Sequence, residues 1–246
     1  MANLKIIRDR IKSVKSIQKV TKAMKMVAAA KMKKSQERME QSRPYSQSLV
    51  EVIEHLLSDV DRNLFPLLNY RDIKRKAYVI VSADRGLAGA FNANIIKKAQ
   101  TEIDEFGKEN IDLFCIGKKA RDYFIKRKYN IVDSYIDFWA EMEFDTAMMI
   151  GRSVINHFLN NKVDEIHVVY NYFLNVAQQE VRSEVLLPIS FDANKVSISD
   201  KLYEPSKEEL VETLIPRHLN VQMWKYLLES YASEQAARMM SMENAT

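Results

Sequence analysis

The sequence has a single cysteine, Cys115, in 246 residues. One thiol excludes an internal disulfide framework and a cysteine-rich zinc site, and a reducing compartment is the natural setting. Glycine and proline are scarce, five of each, where average glycine usage of ~7% would give about 17. So little punctuation predicts long uninterrupted elements, above all helices. No apolar run approaches the ~18 residues needed to cross a bilayer. The start, Met1-Ala2-Asn3-Leu4-Lys5, lacks the apolar core of a signal peptide, so no targeting segment is expected. With 28% charged and 47% hydrophobic residues, the chain can bury a sizeable core and is neither disordered nor membrane-spanning.

What is present is unevenly spread. The net charge of +4 hides a division: residues 1–43 hold nine Lys and four Arg against Asp9, Glu37 and Glu40, leaving the remainder net acidic. That first segment has no Gly and no Pro before Pro44, and is rich in Ala, Lys, Met, Gln and Arg, all good helix formers. A helix from residue 3 to about 60 is predicted, with a bend at Pro44. Its apolar residues Leu4, Ile7, Ile11, Val14, Ile17, Thr21, Met24 and Ala28 step by three and four, a coiled-coil rhythm with one slip. Beyond Pro44 the stripe widens to Leu49, Val52, Ile53, Leu56, Leu57 and Val60, as on a helix lying over a globular body.

The C-terminal end mirrors this. Ser206-Lys207-Glu208-Glu209 reads as a capping box opening a helix that runs to the end of the sequence, interrupted only by Pro216. Leu219, Met223, Tyr226, Ser230, Ser233, Ala237 and Met240 step by four and three, and small residues dominate the later part. The two terminal helices are expected to pair along these seams as an antiparallel coiled coil.

Between them the pattern changes. Tyr78–Ala83, Ile111–Gly117, Glu165–Leu174 and Glu180–Ile189 read as strands. Ala90 to Glu105, Lys118 to Lys128 and Asp145 to Asn160 read as helices. Alternation of this kind predicts a small Rossmann-like α/β domain on a mostly parallel sheet. The expected organisation is a long helix over 1–60, an α/β domain over 70–195 and a second long helix over 206–246. No internal repeat is present.

Signals for catalysis are weak. Gly86-Leu87-Ala88-Gly89 follows a strand but lacks the G-x-G-x-x-G spacing and the Lys-Ser/Thr of a phosphate loop, so a tight turn is the better account. His55, His157, His167 and His218 are scattered and form no metal-binding pair. Glu141 and Glu143 make no convincing acid/base pair, and Cys115 lies in a strand, where a thiol is usually inert packing. No catalytic, metal or cofactor site is predicted.

The basic stripe is stronger. At 100° per residue, Lys5, Arg8, Lys12, Lys15, Lys19 and Lys22 share one sector of about 100°. Mutual repulsion costs the isolated helix about 1–2 kcal/mol, and the segment holds almost no acids to offset it. An acidic external surface is therefore favoured. Nucleic acid, anionic lipid and an acidic protein lining all fit, although the narrow apolar seam argues against burial in a membrane. A basic coiled-coil nucleic-acid binder with an accessory α/β domain is one functional reading.

A second reading rests on resemblance. The run from Ile6 to Met32, with Thr21-Lys22-Ala23-Met24-Lys25-Met26 inside it, resembles the N-terminal helix of the gamma subunit of F-type ATP synthases. Asp84-Arg85-Gly86-Leu87-Ala88-Gly89-Ala90-Phe91-Asn92 resembles that family's first strand-loop motif, with Ala88 where many members carry Cys. Ser233-Glu234-Gln235-Ala236-Ala237-Arg238 and the residues on to Thr246 resemble its C-terminal signature. Members usually continue beyond Asn-Ala-Thr, so the final helix is expected to be short here. The two-cysteine regulatory insert of chloroplast members is absent.

The resemblance implies a non-catalytic rotor shaft of a rotary, ion-translocating ATP synthase, without cofactor or nucleotide. Its coiled coil would turn inside the ring of alpha and beta subunits. Its foot would stand on the membrane c-ring beside the epsilon subunit. It implies no nucleic-acid partner and no direct membrane insertion, with a peripheral position on the cytoplasmic side of a bacterial plasma membrane. Carried over by motif, Met24, Lys25, Glu234, Gln235 and Arg238 would contact the ring subunits. Leu202, Tyr203, Glu204 and Pro205, before the last helix, would contact the membrane partner.

Overall fold

The computed structural model describes residues 2–58, 60–191, 204 and 206–246. The first helix, α1, spans Ala2–Leu57 and is about 84 Å long at 1.5 Å per residue. It runs without a break through Pro44. The last helix, α5, spans Lys207–Asn244. Its N-cap is Ser206, whose hydroxyl accepts from the Glu209 amide at 3.2 Å, so the capping residue read from the sequence is in place.

The two helices run antiparallel. Ser35 donates to the Leu228 carbonyl, Lys25 meets Glu243 and Thr21 meets Thr246, so positions rising along one helix meet positions falling along the other.

Between them, β1 (Lys76–Val81), β2 (Ile111–Ile116), β3 (Ile131–Tyr135), β4 (Glu165–Phe173) and β5 (Gln179–Leu187) form one sheet in the order β3-β2-β1-β4-β5. All pairings are parallel except that of β4 with β5. β1 and β2 are buried on both faces, hence their continuous apolar runs. Alternate residues part to opposite sides. Tyr78, Ile80, Leu113 and Cys115 pack under α2 (Phe91–Phe106) and α3 (Lys118–Lys126). Ala77, Val79, Phe114 and Ile116 join α4 (Phe144–Leu159), α5 and the second half of α1. The long helices therefore share the core of the α/β unit. Where α4 crosses α5, Gly151 leaves room for Asn220: a Cβ there would meet its side-chain oxygen at 2.4 Å, so that side chain would have to move.

One expectation needs correction. The seam proposed for α5 does not face α1 alone. Ser230 and Ser233 hydrogen-bond to Asn171 of β4, and Ala237 packs against Ala83, Ala88 and Phe91. Small residues are needed there because backbone approaches backbone. On α1, Thr21 and Ala28 are buried, and α5 pairs with α1 from Thr21 onward. A short strand, β3, also went unread in the sequence.

Candidate functional site

The paired helices and the β1–α2 turn meet at one place. In a parallel sheet whose connections leave the central strand in both directions, the crevice beyond the strands' carboxyl ends is the usual ligand site. Here β1 lies between β2 and β4, and α5 fills that crevice.

β4 outruns its pairing with β1, which ends at Val169, and the freed backbone is taken up by α5. Ser230 Oγ accepts from the Asn171 amide at 3.2 Å. Ser233 Oγ donates to the Asn171 carbonyl at 3.2 Å. A Glu229 carboxylate oxygen accepts from the Phe173 amide at 3.0 Å. Burial pushes the Glu229 carboxyl above the usual range, partly offset by that amide.

The turn itself is pinned from within. Asn92 accepts from the Ala83 amide at 2.9 Å and donates to the Arg85 carbonyl at 3.3 Å. The two oxygens of Asp84 accept from the amides of Lys118 and Asp137, each at 2.8 Å. Leu87 and Gly89 adopt positive φ, +64° and +54°, an uncommon backbone for a leucine. Ala88 is buried against α5. The result is a rigid turn that shows solvent Arg85 and Leu87.

Arg238 closes the junction. Its guanidinium pairs with Glu234 at 2.5 Å and donates to the Gly86 carbonyl at 3.1 Å. Glu234 is buried, and Gln235 donates to its other oxygen at 2.9 Å. Burial raises the Glu234 carboxyl pKa, while Arg238 and then Gln235 pull it back. Lys31, Arg85, Trp139, Glu234 and Arg238 line a cleft of about 130 Å³, well below the ~300 Å³ at which small-molecule sites begin.

The residues expected to contact ring subunits thus divide. Met24 and Lys25 are half-buried, and Lys25 pairs with Glu243 across the helices at 2.6 Å. Glu234 and Gln235 face inward at 5% and 3% exposure: Gln235 holds Glu234, Glu234 holds Arg238, and Arg238 holds the turn. The motif that grouped them says nothing of which way each side chain faces. Of the residues before the last helix, Glu204 is exposed, while Leu202, Tyr203 and Pro205 lie outside the described residues.

Arg38, outside the Lys row, was missed. It donates to the Met142 carbonyl and pairs with Glu143, both at 2.7 Å, tying α1 to the start of α4. No short-range pattern marks so distant a pairing. Trp139, also missed, stacks on Tyr231 of α5 with centroids 5.6 Å apart.

The basic row is open. Lys5, Arg8, Lys12, Lys15, Lys19 and Lys22 are exposed, and among the described residues none has an ion-pair partner. Among the described residues no group of His, Cys, Asp and Glu is placed to hold a metal. His157 binds Asp112 at 2.8 Å and His167 binds Glu165 at 2.6 Å. Burial lifts the Cys115 thiol to about 12, so the inert reading stands.

A family model described as ATP synthase matches residues 3–246. The chain is 45% identical to the ATP synthase gamma chain of Chloroherpeton thalassium and 46% identical to that of Prosthecochloris aestuarii, over all of this chain and 87% of each relative. Among solved structures, it resembles a chain of the central stalk and c-ring of the Tetrahymena thermophila mitochondrial ATP synthase. That match has a TM-score of 0.72 and 26% identity, over 92% of this chain and 99% of the other. It shares its fold with a rotor chain of the Euglena gracilis enzyme at a TM-score of 0.66, over 99% of this chain and 90% of the other.

Proposed function

The chain belongs to the ATP synthase gamma-chain family, and from that premise we propose how its geometry serves as the central rotor shaft of a rotary F-type ATP synthase. The shaft couples ion flow through the membrane ring to ATP synthesis and hydrolysis at beta-subunit sites. Its own role is non-catalytic. The observation that carries this is the plugged crevice: where a Rossmann-like sheet would take a ligand, α5 is bolted on by Ser230, Ser233 and Arg238. The unit is built to hold a helix pair at a fixed angle, which is what a shaft needs of its foot.

The partners follow from the surfaces. The open Lys and Arg row faces an acidic lining of the alpha and beta subunits. Met24 and the free side of Lys25 meet the ring at the waist. Arg85 and Leu87 are presented there by the turn that Glu234, Gln235 and Arg238 secure. Leu202, Tyr203, Glu204 and Pro205 meet the c-ring, with the epsilon subunit beside it. The setting is the cytoplasmic side of a bacterial plasma membrane. Bacterial relatives support that setting, and among the described residues no helix is long and apolar enough to cross a membrane.

Reconstitution tests this. Mixed with purified alpha and beta subunits of a close bacterial relative, this chain should enter at one copy per hexamer and restore ATP hydrolysis. Failure to assemble where the relative's own gamma chain does, together with tight salt-sensitive binding to random duplex DNA, would favour the nucleic-acid reading instead.

A further inference from the structure

We infer that Asp84 is a positioning residue for the ring contact: its carboxylate fills an oxyanion site made by amides from two other strand ends, and so fixes the direction in which Arg85 and Leu87 leave the fold. This rests on the rotor reading and goes beyond it by naming a residue that acts on the ring only through its neighbours.

The need for Asp84 begins at Gly117. That residue has φ +90°, and a Cβ there would sit 2.1 Å from the Ser82 carbonyl oxygen, so the position that opens α3 can carry no side chain. The helix therefore starts without a capping side chain at its N-cap, and its first amides must find acceptors elsewhere. The segment just after β1 supplies three. Asp84 Oδ1 accepts from the Lys118 amide at 2.8 Å. The Ala83 carbonyl accepts from Lys119 at 3.1 Å, and Ser82 Oγ from Ala120 at 2.9 Å. The other Asp84 oxygen accepts from the Asp137 amide, beyond β3, at 2.8 Å. One carboxylate thus ties together the carboxyl ends of β1, β2 and β3. Its bonds are charge-assisted, roughly twice as strong as neutral ones, and one lies at a helix start, where negative charge is favoured.

What it holds has no use inside the fold. Leu87 adopts φ +64°, which a leucine keeps only where its surroundings over-determine it, and it is 66% exposed. The core gains nothing from a leucine placed so, whereas a surface outside this chain does. Three anchors hold the turn in different ways. Asn92, from α2, binds the Ala83 amide and the Arg85 carbonyl, which sets the local shape but moves with the turn. Arg238 holds the Gly86 carbonyl to α5, on the shaft side. Asp84 ties the turn across the sheet to α3 and to the segment after β3. Without it, Arg85 and Leu87 keep their local shape but can swing about the α5 contact.

Binding of the full chain to purified alpha and beta subunits, titrated at fixed salt, tests this as a double-mutant cycle. Arg85→Ala with Leu87→Ala should weaken binding at least about tenfold, and Asp84→Ala at least about fivefold. All three together should bind within about twofold of the Arg85 and Leu87 variant, because Asp84 then has nothing to position. Added formate should restore about half or more of the Asp84→Ala loss by entering the vacated oxyanion site. It should do nothing for Asp84→Asn, whose side-chain amide fills the space while losing one acceptor. Losses that multiply, no loss in Asp84→Ala, or an equal formate effect in the two variants would overturn the inference. Should Asp84→Ala fail to fold, Asp84→Asn carries the same cycle. In the folded variants the amides of Lys118 and Asp137 should exchange with solvent at least about tenfold faster, and unchanged protection would also overturn it. A ring that binds the unaltered chain and is indifferent to Arg85→Ala with Leu87→Ala sinks this inference and leaves the rotor reading standing. A ring that does not bind the unaltered chain sinks the rotor reading, while the exchange result still decides whether Asp84 holds the two amides.

Discussion

Removing the Arg238 side chain should expose how much of the junction rests on one buried charge. In Arg238→Ala, Glu234, at 7% side-chain exposure in the intact pair, keeps the Gln235 amide and the more distant Lys31 charge but loses its ion-pair partner. An exposed i,i+4 pair would be worth about 0.3–0.5 kcal/mol. Breaking a buried pair by deleting one partner costs about 3–5 kcal/mol, because the other charge is left uncompensated. Arg238 retains 13% exposure, so the lower end applies. Losing the bond to the Gly86 carbonyl adds about 1 kcal/mol, for a total of about 3–4 kcal/mol near pH 7.

The loss should depend on pH. The folded Glu234 carboxyl is already raised, and burial, the dominant cause, acts on the ionised form. The folded state therefore holds the proton more tightly than the unfolded chain, and stability falls as pH rises through that window. Without Arg238 the pKa moves higher and the penalty at neutral pH grows, so the destabilisation should shrink toward pH 5. Adding Glu234→Gln should recover more than half of it. Urea unfolding of the full chain at pH 5 and pH 7 is the assay. A loss under about 1 kcal/mol, equal at both pH values, would refute the reasoning and mean the pair is solvated.

Other predictions follow from the same structure. Burial lowers the His218 pKa from 6.5 to about 4, so the unfolded chain binds the extra proton first. Stability present above pH 6.5 should fall by up to about 3 kcal/mol as pH drops toward 4, and His218→Leu should flatten that slope in urea titrations. Gly117 has φ +90°, and a Cβ there would sit 2.1 Å from the Ser82 carbonyl oxygen; Gly117→Ala should lose at least about 2 kcal/mol in thermal unfolding, and a near-neutral change would contradict the geometry. Reversing charge at Lys12, Lys15 and Lys19 together should weaken binding to alpha and beta subunits at least about tenfold and reduce its salt dependence, both read by titration. Native Cys115 should resist thiol reagents at pH 8 and react on unfolding; fast native labelling would contradict its burial.

Much of the fold was legible because its signals are local. Scarcity of Gly and Pro over residues 1–43 gave α1, and Ser206 with Glu209 gave the start of α5 within one residue. Unbroken apolar runs gave β1 and β2. Strand β3 was missed because Ile131–Tyr135 is five residues long, with a partly exposed pattern on the sheet's edge. The candidate site residues came from family motifs, which carry no orientation. A helical stripe reports a face, not the surface that covers it, so Ser230 and Ser233 read as coiled-coil contacts although they serve β4. Arg238 likewise read as a fork for a partner's carboxylate, and in this chain that fork also reaches Glu234 and a turn some 150 residues earlier.

The most direct test of the rotor account is single-molecule observation of the assembled complex, with the alpha–beta ring fixed to a surface and a probe on the α/β unit of this chain. On ATP addition the probe should turn in one direction in discrete steps, at a rate tracking hydrolysis. A complex that hydrolyses ATP at full rate while the probe stays still would contradict the account.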